Sequence, residues 1–451
     1  MTNQITLPNS STFFVEQNIH FPQWLNSVNY HRQCFANNDA VTWLLYCDNA
    51  YQFSVLFFGL LTANKKIILP QNGTVNQLQL CMELADGFAG AAELIPTLAA
   101  DNVVSYCPQS TLPIASPLRI ASNTDITLFT SGSTGDAKAI NKTFQHLLNE
   151  IMQLEHCFGD KLGNATIVST VSHQHIYGLL FKLMWPIWFS RDVLLQPYEY
   201  PEHLCYDHHK YKLKNIAIVS SPPHYHRLIK DNVYMEMRDN ISTLFSSGGP
   251  LSDDASRQLA VQLGQSPNEI YGSTETGGIA WRQRCLGQSN RWLPFGDIEL
   301  SCQNTSQCLM LKSPYFDHDG WYITDDQIKI AADGSFDLLG RVDRIIKIEE
   351  KRVSLDHVQH CLKALDFIDD AFCLTLLTKR GLQIVAAVVL TEEAQNELDQ
   401  SRNLVFNRRI KSHLMNDLEV IAIPKKFRYL PALPYNSSGK LNKLVMEKVF
   451  E

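Results

Sequence analysis

Short apolar runs alternate along this chain with longer segments in which apolar residues recur at helical spacing. Residues 51–62 predict a helix, and the β-branched run at 66–69 predicts a strand that ends at Pro70. The alternation continues, and it predicts strands at 125–129, 165–170, 192–195, 215–219 and 241–246 and helices at 144–155, 176–188, 201–210 and 222–230. Helices of about ten residues between short β-branched strands indicate a largely parallel sheet that is covered on both faces.

The pattern changes to short strands and turns after Arg291, which predicts a small antiparallel, barrel-like subdomain. From about Arg344 it becomes mixed again, and it predicts a hairpin at 345–355, a helix at 356–365, strands at 371–378 and 383–390, and a helix within 391–416. The sequence therefore predicts an α/β protein with a large N-terminal domain, residues 1–342, and a small α+β C-terminal domain, residues 343–451.

Composition narrows the possible functions. The 451 residues are 45% apolar, which is enough to fill two or three lobes of a globular protein. The formal charge is −7 and no long basic block is present, so nucleic acid is not an expected partner. The longest apolar run, residues 55–61, is too short to span a membrane. Eleven cysteines without a C-x-x-C pair, and an N-terminus without a signal or transit pattern, indicate a cytoplasmic protein.

Small and hydroxylated residues are concentrated after the predicted strand at 125–129, in the stretch Thr130, Ser131, Gly132, Ser133, Thr134, Gly135, Asp136, Ala137 and Lys138. Glycines let backbone N–H groups turn toward an anion, and hydroxyls and a lysine add donors around the same oxygens, so the stretch predicts a phosphate-binding loop. It is not the Walker loop of kinases and GTPases, because five residues separate Gly132 from Lys138 and no Ser or Thr follows the lysine.

Four further segments follow in a fixed order: Glu269 to Glu275, Gly320 to Asp326, Gly340 to Lys347, and Leu433 to Lys440. With them in view, the chain resembles the adenylate-forming superfamily of acyl-CoA synthetases, peptide-synthetase adenylation domains and luciferases, from about Asn49 to Lys443. The resemblance implies that superfamily's fold, with a mobile C-terminal lobe. Because only 129 residues precede the phosphate loop, it also implies a shortened N-terminal part.

The resemblance implies ATP-dependent activation of a carboxylic acid. An acyl adenylate forms with release of pyrophosphate, and the acyl group passes to a phosphopantetheine thiol of CoA or an acyl carrier protein. It implies that the phosphate loop from Thr130 to Lys138 holds the β- and γ-phosphates. Tyr271, with Gly272 beside it, would stack on adenine. Thr274 would contact the α-phosphate, and Glu275 would bind Mg²⁺, a cation that takes hard oxygen ligands.

The resemblance carries further roles to residues near the C-terminal lobe. Asp326 would hold the ribose hydroxyls, Arg341 would reach the ribose or the α-phosphate, and Asp343 matches the hinge residue. Lys440, in a Ser- and Gly-rich loop, would be the catalytic lysine, because an ammonium delivered by a mobile lobe can meet the carboxylate and α-phosphate as charge develops.

The acid itself is the least determined feature. Ser247, Gly248 and Gly249 resemble the turn that floors the adenine and acyl pockets, and His175 with Gly178 resembles a His-x-x-Gly segment beside the substrate carboxylate. Amino-acid-activating relatives usually carry an aspartate hereabouts, and none lies between Lys161 and Arg191, so the sequence favours an acyl or aryl acid over a free amino acid.

Two positions depart from the family pattern. Asp325 stands where Gly is usual, so either its carboxylate points away from the nucleotide or the turn is altered. Glu350 replaces a Gly in the turn that lines the pantetheine tunnel, so adenylation is better supported than thiol transfer. Both departures leave an alternative open, in which the chain is a catalytically reduced relative that binds nucleotide or acyl ligand, or docks a carrier protein, without turnover.

Overall fold

The computed structural model describes residues 3–94, 98, 100–108, 111–114, 117–131, 137–198, 200–284, 290–348, 351–378, 381–400, 403–435, 441 and 443–450. These residues pack as two units. The first holds the described residues up to Glu299 together with Lys312–Asp319, and the second holds Leu300–Leu311 and the described residues from Gly320 onward. The predicted boundary between Val342 and Asp343 falls inside the second unit. It stays a prediction about where the C-terminal lobe turns.

A nine-stranded sheet is the largest feature of the first unit. Its strands lie in the order Leu293–Pro294, Gly277–Gln283, Asn268–Ser273, Ile241–Ser246, Ile216–Ser220, Thr166–Ser169, Val193–Pro197, Phe13–Phe14 and Ile19–His20. The neighbouring pairs from Asn268–Ser273 across to Phe13–Phe14 are parallel, and the pairs at both ends are antiparallel. Because the central strands are buried on both faces, they read as continuous apolar runs, as Ile216–Ser220 does.

A six-stranded sheet lies in the same unit. Its order is Ala137–Thr143, Asp125–Ser131, Lys66–Leu69, Thr42–Tyr46, Gly87–Gly90 and Asn102–Ser105. Only the first pair is antiparallel, and it forms the edge of the sheet. A separate two-stranded sheet joins Gln4–Thr6 to Arg119–Ala121.

Helices cover these sheets, and their apolar faces form the core. The α-helices of the first unit are Phe21–Ala36, Ala50–Thr62, Val75–Met82, Phe144–Leu162, Ile176–Gly178, Trp185–Trp188, Pro201–Tyr211, Pro222–Asp231 and Asp253–Leu263. Short 3₁₀ helices span Ala92–Leu94 and Val233–Asn240. One core cluster packs Ile218 and Leu244 of the nine-stranded sheet against Leu204, Tyr225 and Leu259 from three helices.

Most predicted elements of the first unit are confirmed. Several elements were not predicted, among them the strands Thr42–Tyr46, Ala137–Thr143 and Gly277–Gln283. The predicted helix at 176–188 is interrupted by a π-helix at Leu179–Met184. Pro186 lies just beyond this π-helix, and because proline has no N–H to donate, it weakens the regular ladder at that point.

The second unit contains three small sheets. Its strands are Glu299–Cys302, Cys308–Lys312, Tyr322–Ile330 and Phe336–Arg341 in one sheet, Ile345–Ile348 and Lys351–Ser354 in a hairpin, and Ile368–Thr378, Gly381–Leu390 and Lys426–Tyr429 in a third. Its helices are Val342–Arg344 (3₁₀), Leu355–Lys363, Glu392–Gln400, Asn403–Leu414 and Lys443–Lys448. The predicted hairpin, and the helix after it, are confirmed, whereas the single helix predicted within 391–416 is two helices.

A buried core holds the second unit together, in which Val358 and Leu362 of one helix pack with Ile384 of the third sheet and with Ile410 and Leu414 of another helix. No helix among the residues that the model describes is both long enough and apolar enough to cross a membrane.

Candidate active site

Four parallel strands of the nine-stranded sheet end at one edge, because they run side by side in the same direction. They are Thr166–Ser169, Ile216–Ser220, Ile241–Ser246 and Asn268–Ser273. In parallel sheets, ligands bind beyond the carboxyl ends of the strands. The segments that follow three of these strands carry predicted site residues: His175 and Gly178, then Ser247 to Gly249, then Thr274 and Glu275.

The turn after Ile241–Ser246 is open and fixed at its base. Gly248 and Gly249 are exposed, and Gly248 has φ +89°, in the left-handed region that favours glycine. The Ser247 hydroxyl donates to the Ile270 carbonyl at 3.0 Å, which ties the turn to the neighbouring strand. The Ser246 hydroxyl is buried and has no hydrogen-bond partner within the described part of the chain. A buried donor without a partner at a strand end is available to a bound molecule.

The segment after Thr166–Ser169 is packed closely. A Cβ at Gly178 would lie 2.0 Å from the Ser172 carbonyl oxygen, so only glycine fits there. The Tyr177 hydroxyl donates to the Ser220 carbonyl at 3.2 Å, which joins this segment to the next strand end. His175 precedes the short helix and is half-buried. Burial lowers the pKa of the nearby His173 to about 3, so its ring stays neutral.

The turn that carries Thr274 and Glu275 is held by its own hydroxyls. Ser273 and Thr276 exchange hydrogen bonds between side chains and backbone, at 3.0 to 3.2 Å. A Cβ at Gly272 would lie 2.2 Å from the Gly277 carbonyl oxygen, so glycine is required there by packing. Thr274 is buried, and the Glu275 carboxylate is partly exposed. The Tyr271 ring lies beside the Trp292 ring, with centroids 5.5 Å apart.

The strands on either side of the predicted phosphate loop, Asp125–Ser131 and Ala137–Thr143, pair in an antiparallel arrangement. Thr130, at the end of one strand, pairs with Lys138 at the start of the other. Gly132, Ser133, Thr134 and Gly135 lie outside the described residues, and Ser131 is described only in its backbone. The returning strand brings the Lys138 ammonium within 3.0 Å of Glu275 Oε1. The structure therefore brings the base of the phosphate loop and the proposed metal ligand together.

The electrostatics of Glu275 follow from this contact. Burial raises its pKa, but the hydrogen bond and charge of Lys138, together with hydrogen bonds from its own backbone and from Ser273, outweigh burial, so the pKa of the carboxyl lies below its usual value. Glu275 is therefore an anion at neutral pH.

A buried polar group beneath this turn was not predicted from sequence. Lys142 is buried, and its ammonium donates to the Glu275 carbonyl at 2.9 Å and to the Tyr315 carbonyl at 2.7 Å. Glu150 accepts from the Gly278 N–H at 3.3 Å, and its Oε2 is buried without a hydrogen-bond partner among the described residues. Burial lowers the pKa of Lys142 to about 8 and raises the pKa of Glu150 to about 7. No local pattern marks these residues, because their partners are distant in sequence.

The second unit holds another cluster of predicted residues. Asp326 pairs with Arg341 across the hairpin formed by Tyr322–Ile330 and Phe336–Arg341. The Arg341 guanidinium donates to Asp343 at 2.9 and 3.0 Å, donates to Asp325 at 3.3 Å, and lies 3.5 Å from Asp326. The hydrogen bonds that Arg341 donates to Asp343, with the three carboxylate charges, raise the pKa of Arg341, so it stays a cation. Asp325 lies within reach of this cation, which it shares with Asp326 and Asp343. Lys440 and Glu350 lie outside the described residues.

Comparisons with known proteins agree with this architecture. The model of the AMP-binding enzyme family matches residues 109–303. The chain is 25% identical over 379 residues to a probable CoA ligase of Humulus lupulus, covering 75% of this chain and 67% of that protein. It is 26% identical over 318 residues to a 4-coumarate–CoA ligase of Cereibacter sphaeroides, covering 70% of this chain and 69% of that protein. The chain is therefore similar in sequence to AMP-binding enzymes, most clearly over residues 109–303.

Solved structures show the same fold as this chain. ATP-bound MatB from Rhodopseudomonas palustris matches with a TM-score of 0.81 and 16% identity, covering 98% of this chain and 96% of that chain. The anthranilate CoA ligase AuaEII, in complex with anthranoyl-AMP, matches with a TM-score of 0.78 and 13% identity, covering 98% and 94%. The predicted fold class is therefore confirmed.

The residues described here fit a nucleotide with Mg²⁺. Within the described part of the chain, no group of three or more His, Cys, Asp or Glu residues could hold a metal. Mg²⁺ is usually bound by one or two carboxylates with phosphate oxygens and water, which a single anionic, partly exposed Glu275 suits. The exposed Gly248–Gly249 turn and the unpartnered Ser246 hydroxyl lie at the end of the strand that pairs with Asn268–Ser273.

Proposed function

We propose that this protein activates a carboxylic acid with ATP to give an acyl adenylate and pyrophosphate, and then transfers the acyl group to a phosphopantetheine thiol. The observation that carries the proposal is the 3.0 Å ion pair between Lys138, at the base of the phosphate loop, and Glu275, beyond the strand that carries Tyr271. A cation for phosphate and an anion for a metal are both required where pyrophosphate leaves, and here they meet.

The ion pair fits a protein without nucleotide. Each partner is partly exposed, and each is matched by a group that MgATP would bring, since phosphate suits Lys138 and a metal suits Glu275. In this proposal Thr130, Ser131, Gly132, Ser133, Thr134 and Gly135 surround the β- and γ-phosphates with Lys138. Glu275 would hold Mg²⁺, which neutralises charge on the phosphate oxygens. Tyr271, Gly272, Gly248 and Gly249 line the adenine site.

Asp326 and Arg341 also have proposed roles in binding the nucleotide. A carboxylate accepts from both vicinal ribose hydroxyls, and Arg341 is a cation at every working pH. Thr274 contacts the α-phosphate, and Asp343 is the residue about which the C-terminal lobe turns. Lys440 meets the carboxylate and the α-phosphate during adenylate formation.

The acid and the acceptor are proposed only as classes. Relatives include a sulfoacetate–CoA ligase of Cupriavidus necator, 23% identical over 347 residues and covering 70% of this chain and 65% of that protein. They also include a D-alanine–D-alanyl carrier protein ligase of Staphylococcus haemolyticus, 31% identical over 123 residues and covering 27% and 24%. We propose an acyl or aryl acid bound near His175, Gly178 and Ser247, with CoA or an acyl carrier protein as acceptor. The chain spans about two thirds of the length of the curated CoA ligases, so their activities support this proposal by analogy.

A relative without turnover is less well supported. The departure at Asp325 was one of two reasons for that alternative, and Asp325 accepts a hydrogen bond from Arg341. The retained residues Lys138, Glu275, Asp326 and Arg341 argue for catalysis.

Substitution of Lys440 tests the proposed function. Lys440→Ala should lower acid-dependent exchange of pyrophosphate into ATP by about a hundredfold or more, because a preorganised charge is lost from the transition state. Thioester formation from a synthetic acyl adenylate should largely survive. Lys448→Ala, in the helix Lys443–Lys448, is the control and should leave exchange unchanged. Exchange that is equal in both variants would contradict the assignment of Lys440.

A further inference from the structure

One face of the strand Ala137–Thr143 carries two lysines that reach the same residue. Side chains alternate along a strand, so Lys138, Ile140 and Lys142 share a face. Lys138 is exposed and pairs with the carboxylate of Glu275, whereas Lys142 is 2% exposed and donates to the backbone carbonyl of Glu275. The two contacts therefore differ in which part of Glu275 they hold.

Lys142 occupies a buried position where an apolar side chain would cost less free energy to bury. Burying an ammonium costs several kcal/mol unless it is hydrogen-bonded and near opposite charge. Both conditions are met here by two backbone carbonyls at 2.7 and 2.9 Å and by the nearby carboxylates of Glu150, Glu275 and Asp317. Tyr315 is itself held in place, because its side-chain hydroxyl donates to Asp297 at 2.7 Å. The roles proposed so far do not use this lysine.

The C-terminal end of the same turn, at Gly277 and Gly278, is held in place by Glu150. Gly277 has φ +70°, and a Cβ there would lie 2.4 Å from Glu150 Oε2. The Glu150 carboxyl also accepts from the Gly278 N–H. The turn from Ser273 to Gly278 is therefore anchored at the Glu275 carbonyl by Lys142 and at Gly278 by Glu150.

We propose that Lys142 is a positioning residue that keeps Glu275 in place for the metal when Lys138 turns to the phosphates of ATP. The inference rests on the proposed function. Lys138 cannot bind phosphate and keep its place on the Glu275 carboxylate at the same time, so nucleotide binding removes the ion pair between Lys138 and that carboxylate. The Lys142 contact survives this exchange, because it uses the carbonyl oxygen, which neither the metal nor the phosphates need.

The expected consequence is specific to the metal. Groups that orient a metal ligand typically change metal affinity by about 10–100-fold when they are removed. Loss of Lys142 should therefore weaken binding of ATP with Mg²⁺ and leave binding of metal-free ATP nearly unchanged. A lysine that only stabilised the fold would weaken both or neither.

The test measures binding directly, by calorimetry, with ATP plus Mg²⁺ and with ATP plus EDTA. Lys142→Met should weaken the first by about tenfold and the second by less than about twofold. Lys65→Met is the matched control, because Lys65 also donates to two backbone carbonyls, of Asn38 and Ala40 at 2.7 Å each, away from this turn. The control should bind both forms as the wild type does. In a Glu275→Ala background, Lys142→Met should have no further metal-dependent effect.

The outcomes distinguish the role of Lys142 from the proposed function. Equal losses with and without Mg²⁺, or no loss in either, would overturn the role of Lys142. Wild-type protein that binds ATP under neither condition would count against the proposed function instead. If Lys142→Met does not fold, Lys142→Gln carries the same comparison, because its shorter amide cannot reach both carbonyls, and the same metal-dependent loss is expected.

Discussion

Glu269 is the residue whose removal should destabilise the first unit most clearly. It begins the segment that leads to Tyr271 and Glu275, and it is 3% exposed. Its carboxylate accepts from Arg284 Nε at 2.6 Å and Nη2 at 2.8 Å, and from Arg282 Nη2 at 3.0 Å and Nε at 3.3 Å. One buried anion therefore satisfies two guanidinium groups.

The loss in the free energy of unfolding follows from the arginine charges that Glu269→Gln leaves without a partner. Removing one partner of a buried ion pair costs about 3–5 kcal/mol, because the remaining charge is uncompensated. Arg284 would keep the exposed carboxylate of Asp253 and the Leu251 carbonyl, at 2.6 Å, so we expect the lower end, about 3 kcal/mol. Arg282 also stacks on Trp292, 4.3 Å from its ring centroid, and lies partly exposed, so it adds little to the loss.

Urea unfolding followed by tryptophan fluorescence measures this loss. Of the seven tryptophans only Trp321 lies outside the first unit, so the signal follows that unit, and a separate transition of the second unit contributes little. Asp125→Asn is the control, since Asp125 pairs with Lys66 at 2.9 Å where both side chains are more than half exposed. It should cost less than about 1 kcal/mol. Equal losses for the two variants would refute the reasoning about burial.

Two further predictions concern the turn at Glu275. Glu275→Gln keeps the shape and removes the charge, so the Mg²⁺ concentration that half-saturates pyrophosphate exchange should rise, and a normal Mg²⁺ titration would rule out the ligand role. Burial raises the pKa of Glu150 from 4.5 to about 7, so the folded state holds its proton more tightly than the unfolded state. Stability from this group is therefore present below pH 4.5 and lost as the pH rises through 7, and Glu150→Gln should flatten the pH dependence of urea unfolding between pH 5 and 8 by up to about 3 kcal/mol. A Glu150→Gln profile as steep as the wild-type profile would show that Glu150 does not titrate in this range.

The parallel strands were predictable because strands that are buried on both faces are continuous apolar runs, and such a run can be recognised without knowing its partner strand, as at Ile216–Ser220. The strand Ala137–Thr143 was missed for a physical reason. Two of the three side chains on its shared face, Lys138 and Lys142, are lysines, so the apolar alternation that marks a strand is absent. Their charges meet Glu275, which lies more than a hundred residues away in sequence.

Some residues of the candidate site could be predicted from the sequence, and others could not. Residues of local motifs can be recognised in the sequence. The turn glycines at 248 and 272 are examples, because the backbone conformation at the first and the packing at the second require glycine. Glu150 could not be found, since it reads as one more polar residue on the helix Phe144–Leu162, and only the fold places it against Gly277. The charge at Asp325 raised a question that the hairpin register answers, because that register brings Arg341 beside it.

The central claim is that this protein makes acyl adenylates, and exchange of labelled pyrophosphate into ATP across a panel of carboxylic acids tests it most directly. The panel should include short-chain, fatty, dicarboxylic and aryl acids, with amino acids as a contrasting set, and Lys440→Ala as the control protein. We predict Mg²⁺-dependent exchange that one class of acyl or aryl acid stimulates, and that Lys440→Ala abolishes. Binding of ATP without exchange for any acid of the panel would contradict the account and favour a relative without turnover.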